Sequence, residues 1–292
     1  MSLEYFKSKE VCKDVYQITN AIFNDTLPTF SYLVIGSEKA LLIDSMYGVG
    51  KLKDYVETLT DKPIIHVATH MHGDHTGGSY DFDEMYMSPY DFENFWLRMP
   101  KDKTNAMNSA LRFVLPEYKD QLDLNDMCEP KVIKLHPIFD GDLFDIGDRT
   151  IEVIEVAGHT AGEIVLLDRE RRCIYSGDTC NTNTLLNLDG RTSVKEYRKN
   201  LERLSTYKDE FDTLYNGHDI QPLEIIFEGL ELCDKILKKE DAHVESTGIG
   251  GVAFVGAERI PGTYNRVDGK RFNAVYLDKW VFESESKKNV IK

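Results

Sequence analysis

The chain has 292 residues, 41% of them hydrophobic, and carries 35 Lys+Arg against 50 Asp+Glu for a formal charge of -15. That length holds one large domain or two small ones and can bury a sizeable core. The acidic excess excludes a mainly electrostatic nucleic-acid binder, which needs a basic face, and argues against attachment to anionic lipid.

The N-terminal MSLEYFKSKEVCKDVYQ has no apolar stretch of signal-peptide length. Apolar runs such as Ala40–Ile43 are too short to span a bilayer. Val15–Ile18, Ser31–Ile35 and Ala40–Ile43 are β-rich and separated by Gly, Pro, Asn and Asp, which predicts three strands. Leu52, Val56 and Leu59 then recur at helical spacing, and Ile64–Thr69 is a further strand running into His70. Residues 81–130 change character: rich in Met, Phe, Tyr and Asp, they predict a helical insertion, with helices over Tyr90–Met99 and Asn105–Leu115 closed by Pro100 and Pro116. Strand patterns resume at Lys131–Leu135, Thr150–Val156, Glu163–Asp168 and Cys173–Ser176. Val194–Leu204 is an amphipathic helix, Leu214–Asn216 a short strand and Leu223–Glu240 a long helix. From about 248 a β-rich extension pairs Val252–Val255 with Phe272–Leu277. The order predicts an α+β chain of two β-rich halves with helices outside, folded as a single domain over 1–292. Five scattered cysteines without a CxxC fit a reducing cytoplasm.

The chemistry is concentrated in Ile64–Gly78, IIHVATHMHGDHTGG. His70, His72, Asp74 and His75 lie on a strand-to-helix loop, and imidazole and carboxylate both suit divalent metals such as zinc. His70 and His72 can converge on one ion, Asp74 and His75 on a second, with Gly73 expected to permit the turn between them. VAGHTAGE, YSGDTC and YNGHD then place His159, Asp178 and His218 each after a short strand and a glycine. Asp44 in LLIDS sits in a comparable place.

HxHxDH at His70–His75 followed by His159, Asp178 and His218 resembles the ligand set of the metallo-β-lactamase superfamily over roughly residues 15–80 and 130–220. The resemblance implies a four-layer αββα sandwich and two divalent metal ions, zinc by preference with iron or manganese as alternatives. His70, His72 and His159 would hold one ion; Asp74, His75 and His218 the other; Asp178 would bridge them together with a hydroxide. Asp44 would orient ligands from behind. The implied activity is hydrolysis by that hydroxide, with Asp74 handling the proton of the attacking water. The substrate would be a small ester, lactone, thioester or related acyl compound. Phosphodiester or β-lactam cleavage, or iron-dependent dioxygenation of a sulfur substrate, are the alternatives on the same site. Cys180, two residues past Asp178, is either an extra ligand or a small residue in a tight loop.

Substrate-contacting residues are expected in the insertion, at Phe95 and Trp96, and in the extension at Tyr264, where Arg266, Lys270 and Arg271 add basic groups. The alternative for the insertion's aromatics is a core of their own. The partner is a small molecule, with no nucleic acid or membrane expected. A homodimer, the commonest assembly of soluble oligomers, is compatible with the sequence. His66, His136 and His243 are assigned no chemistry, His136 being placed in a turn before Pro137.

Overall fold

The computed structural model describes residues 4–23 and 28–284. The first half runs β1 (Phe6–Cys12), β2 (Val15–Asn20), β3 (Phe30–Ile35), β4 (Ala40–Ile43), α1 (Leu52–Leu59), β5 (Ile64–Val67), α2 (Gly73–Thr76) and β6 (Glu84–Met87). It continues with α3 (Phe92–Arg98), α4 (Lys103–Ala110), α5 (Pro116–Lys119) and β7 (Lys134–Pro137). The seven strands form one sheet in the order β1-β2-β3-β4-β5-β6-β7. It is antiparallel up to β4 and parallel from β4 to β7. Every residue of β4 is buried, as expected of a central strand covered on both faces.

The second half comprises β8 (Leu143–Asp145), β9 (Thr150–Glu155), β10 (Ile164–Asp168), β11 (Cys173–Gly177), β12 (Thr184–Leu186), α6 (Val194–Ser205) and β13 (Thr213–Asn216). It ends with β14 (Ile220–Pro222), α7 (Glu224–Lys238), β15 (Val244–Gly248), β16 (Gly251–Val255) and β17 (Ala274–Tyr276). One sheet has the order β14-β13-β11-β10-β9-β8 and another the order β12-β17-β16-β15.

Two compact units result: Met1–Ser88, Phe92–Ile138 and Asp142–Glu152 form the first, and Pro89–Asp91, Phe139–Gly141 and Val153–Lys292 the second. In the first, Val56 of α1 shares a core with Ile18, Leu33 and Leu42, all fully buried. In the second, Val194, Tyr197, Leu201 and Leu204 form the buried stripe of α6, whose N-terminus is capped by Ser193 accepting from the Glu196 amide at 3.1 Å. They share a core with Val165, Ile174, Ile225 and Ile226. Each such side chain contributes about 1.5–3 kcal/mol by leaving water. Gly229 of α7 lets the two helices close up, since a Cβ there would stand 2.9 Å from Leu201 Cδ1.

The insertion differs from expectation at its start. Glu84–Met87 is a strand of the first sheet, not part of a helical segment. Met85 and Met87 point into the core while Glu84 and Tyr86 are less covered, a period of two that methionine's weak β-preference conceals. His136 likewise lies in β7 rather than a turn; its Nε2 meets Glu84 at 2.8 Å and its ring stacks on Tyr86.

Candidate metal centre

The first unit gathers one set of donors at the ends of two parallel strands. Ile43 of β4 pairs with Val67 of β5, so the residues just beyond each strand meet. Asp44 donates its amide to the Val67 carbonyl at 2.9 Å. Its carboxylate accepts from the Thr69 amide (2.8 Å), the Thr69 hydroxyl (2.9 Å) and His75 Nδ1 (2.8 Å). The turn holding it is strained, with φ of 60° at Asp44 and 54° at Met46. His70 and His75 are fully buried and His72 is 8% exposed. The His70 ring centroid lies 4.0 Å from that of His75 and 4.9 Å from that of His72. Asp74 Oδ2 stands 3.8 Å from His75 Nε2.

The glycines that matter here are Gly77 and Gly78, not Gly73. A Cβ on Gly73 meets nothing within 4 Å, whereas one on Gly78 would lie 2.4 Å from the Ser45 carbonyl oxygen and one on Gly77 2.4 Å from the Tyr47 carbonyl carbon. The Gly-Gly pair lets α2 seat against the strained turn, where Ser45 donates its amide to the His75 carbonyl at 2.7 Å. His66 braces this arrangement from inside β5, with Nδ1 3.3 Å from the Leu42 carbonyl and Nε2 2.8 Å from Ser79 Oγ. Burial pushes its pKa down to about 4.

The second unit gathers donors of its own in the same way. β11 and β13 are parallel neighbours with Gly177 paired to Asn216, so Asp178 and His218 emerge side by side. His218 Nε2 is 3.2 Å from Asp178 Oδ1, and His159 Nε2 is 3.4 Å from Asp178 Oδ2. His159 donates Nδ1–H to the Leu185 carbonyl at 2.7 Å. His218 is held through its amide, which donates to Asn216 Oδ1 at 3.1 Å.

Two buried carboxylates in this unit escaped the sequence reading. Glu163 Oε1 accepts the Asp178 amide at 2.9 Å, and burial followed by the charge of Asp178 raises its pKa well above the carboxylate range. Asp91 accepts from Thr160 Oγ1 (2.7 Å) and the Gly162 amide (2.9 Å), bracing the loop after His159. Glu163 sits visibly in VAGHTAGE, but Asp91 is about seventy residues away and carries no local signal.

Three expected roles are corrected or sharpened. Phe95 is 2% exposed and belongs to a core with Met71, Tyr80, Met85 and Met87, so no surface remains for a substrate. Trp96 packs edge-on against it at 4.9 Å. Cys180 is fully buried among apolar side chains with Sγ 3.6 Å from the Ile225 carbonyl and joins none of the His/Asp donor groups among the described residues, which favours the packed thiol of its two expected roles. Tyr264 is 44% exposed, with the Arg259 guanidinium 5.3 Å from its ring.

The donor chemistry fits a divalent cation. Nδ1 of His75 and of His159 is engaged by a carboxylate or carbonyl, so Nε2 is the nitrogen each ring offers, a common arrangement around metal-ligating histidines.

The sequence profile described as the metallo-beta-lactamase superfamily matches residues 24–218. Acyl-coenzyme A thioesterase MBLAC2 of Homo sapiens is 26% identical over 225 residues, covering 70% of this chain and 76% of that protein. Atrochrysone carboxyl ACP thioesterase nsrC of Aspergillus novofumigatus is 26% identical over 156 residues, covering 51% of this chain and 38% of its own length. Among solved structures, a metallo-beta-lactamase from Pontibacter korlensis superposes with a TM-score of 0.57 at 18% identity, over 77% of this chain and 97% of that one. No helix among the described residues is long and apolar enough to cross a membrane. On the matched profile and the shared fold, the chain belongs to the metallo-β-lactamase superfamily and is one of its hydrolases.

Proposed function

We propose that the protein is a binuclear zinc hydrolase that cleaves acyl thioesters. The His70, His72, Asp74 and His75 set would act with the His159, Asp178 and His218 set, His70, His72 and His159 serving one ion, Asp74, His75 and His218 the second, and Asp178 both. Bound there, the metal ions would supply a water acidified from ~15.7 to about 7 and a Lewis acid for the acyl oxygen. The remaining work falls to the chain. Asp44 and the Leu185 carbonyl hold two imidazoles in the ligating tautomer. Asp74, 23% exposed at its side chain, would take the proton of the attacking water. Glu163 fixes the backbone of Asp178.

One observation supports the metal reading: the Nδ1 atoms of His75 and His159 are tied off by acceptors of their own chain. The substrate reading rests on relatives named as acyl-coenzyme A and acyl-carrier thioesterases. A hydrolysis screen with zinc and with manganese tests both, covering thioesters, lactones, β-lactams and phosphodiesters. Thioesters are expected to lead, with loss of at least about a hundredfold in Asp74→Ala. Full activity in that variant refutes the assigned proton role, and a lead for lactones, β-lactams or phosphodiesters refutes the substrate. Metal analysis is expected to give about two zinc per chain; about one iron supports dioxygenase chemistry instead.

A further inference from the structure

Arg259 is unlike the cations around it in the extension. Arg266 pairs with Asp268, Lys270 with Glu231, and Arg271 lies 4.0 Å from Glu228. Among the described residues no carboxylate is in ion-pair contact with Arg259, in a chain with fifteen more acids than bases. Its guanidinium donates to Asn183 Oδ1, lies against the Tyr264 ring, and keeps Nε buried without a hydrogen bond. Burial lowers its pKa. A half-buried guanidinium without an anion carries a desolvation cost that a bound anion would offset.

The surroundings are built rather than loose. Arg259 opens a hairpin closed by its bridge to Arg266 and by the Ile260 amide donating to the Asn265 carbonyl at 2.9 Å. Ile260, Tyr264 and Val267 of this segment are exposed. Asn183 is fixed in turn: its amide donates to Asn181 Oδ1 at 2.8 Å, and the Asn181 amide to Thr184 Oγ1 at 3.1 Å. The loop bearing Asn183 begins at Asp178, so five residues, at most about 18 Å of chain, separate the arginine's partner from a proposed metal ligand.

We propose that Arg259, with Asn183 and Tyr264, forms an anion subsite that takes a phosphate of the coenzyme A-type carrier of the substrate. The inference rests on the thioesterase reading for its ligand, and on the surroundings of Arg259 for the site. The guanidinium fork matches two phosphate oxygens, and the exposed aromatic and aliphatic groups suit the remainder of a nucleotide-bearing carrier.

Calorimetric titration of coenzyme A, inorganic pyrophosphate and succinate into the zinc-loaded protein tests this without turnover. Coenzyme A is expected to bind, and Arg259→Gln to weaken it roughly tenfold to hundredfold, with Arg259→Lys in between. Asn183→Asp, which sets a carboxylate against an intact Arg259, is expected to weaken it similarly. Rates add a second readout. The ratio of kcat/KM for an acyl-coenzyme A to that for the matching N-acetylcysteamine thioester is expected to fall at least about tenfold in Arg259→Gln. Unchanged coenzyme A affinity in folded Arg259→Gln and Asn183→Asp overturns the proposal, as does succinate binding as tightly as pyrophosphate. A protein that hydrolyses no thioester yet loses coenzyme A on Arg259→Gln refutes the thioesterase reading and keeps the subsite. A thioesterase whose Arg259→Gln variant binds coenzyme A normally refutes the subsite alone.

Discussion

Replacing Asp44 by Asn keeps the volume and the φ of 60° at this position, which Asn tolerates well, but changes the hydrogen-bond arithmetic. The carboxylate accepts from the Thr69 amide, the Thr69 hydroxyl and His75 Nδ1. A side-chain amide has one accepting oxygen and one donating nitrogen. The Thr69 N–H cannot turn away, so the oxygen stays with it and the NH2 faces His75. The imidazole then puts its proton on Nε2, leaving Nδ1 to accept, and Nε2 no longer offers a lone pair. Exchanging a charge-assisted bond for a neutral one costs about 1–3 kcal/mol in the apoprotein. Losing the orienting carboxylate costs about tenfold to hundredfold in metal affinity, or roughly 1.4–2.7 kcal/mol. Zinc competition against a chromophoric chelator reads the affinity, and urea unfolding of the apoprotein reads the stability. An Asp44→Asn protein that binds zinc as the wild type does would refute the tautomer argument.

Glycine requirements give a paired test: Gly73→Ala is expected to shift stability by less than about 0.5 kcal/mol, while Gly78→Ala, facing the Ser45 oxygen at 2.4 Å, costs at least about 2 kcal/mol in the same urea assay. Equal effects would overturn the assignment of the close approach. His66 predicts a pH dependence: folded His66 stays neutral down to about pH 4, while the unfolded chain takes up a proton near 6.5. The unfolded state therefore binds more protons in that window, so stability is full above about 6.5 and falls by roughly 3 kcal/mol on descending to about 4. His66→Gln should lose that part of the slope, and an unaltered slope in the variant contradicts the cause. Glu163→Gln keeps an oxygen for the Asp178 amide and is expected to bind zinc within about threefold of the wild type, whereas Glu163→Ala loses about tenfold. If both variants behave alike in zinc competition, Glu163 does not position Asp178.

Regularity decided what could be read from the chain. β4 and α6 were legible because an apolar run and a 3.6-residue stripe each hold one meaning. β6 was hidden by methionines, and β8, β12 and β14, three residues each, are too short for a pattern. The seven donor candidates were visible as motifs because four crowd into His70–His75 and the other three each follow a short strand and a glycine. Of what fixes them, Asp44 was visible at its strand end, but Asp91 and the Leu185 carbonyl were not, since they meet His159 and its loop from distant parts of the sequence. Phe95 shows the opposite error: an aromatic residue in an insertion looked available, and burial at 2% exposure made it core.

β12 pairs in parallel with β17, Leu185 opposite Val275, and the Leu185 carbonyl is the one that His159 uses. The strand that props His159 thus depends on residues translated some ninety positions later. During synthesis the first unit's histidine loop is complete early, whereas the prop beneath His159 must wait for Ala274–Tyr276 to leave the ribosome. Shortening the chain before Ala274 therefore removes no proposed ligand, yet strips β12 of its partner strand and leaves the His159 imidazole on an unsupported edge.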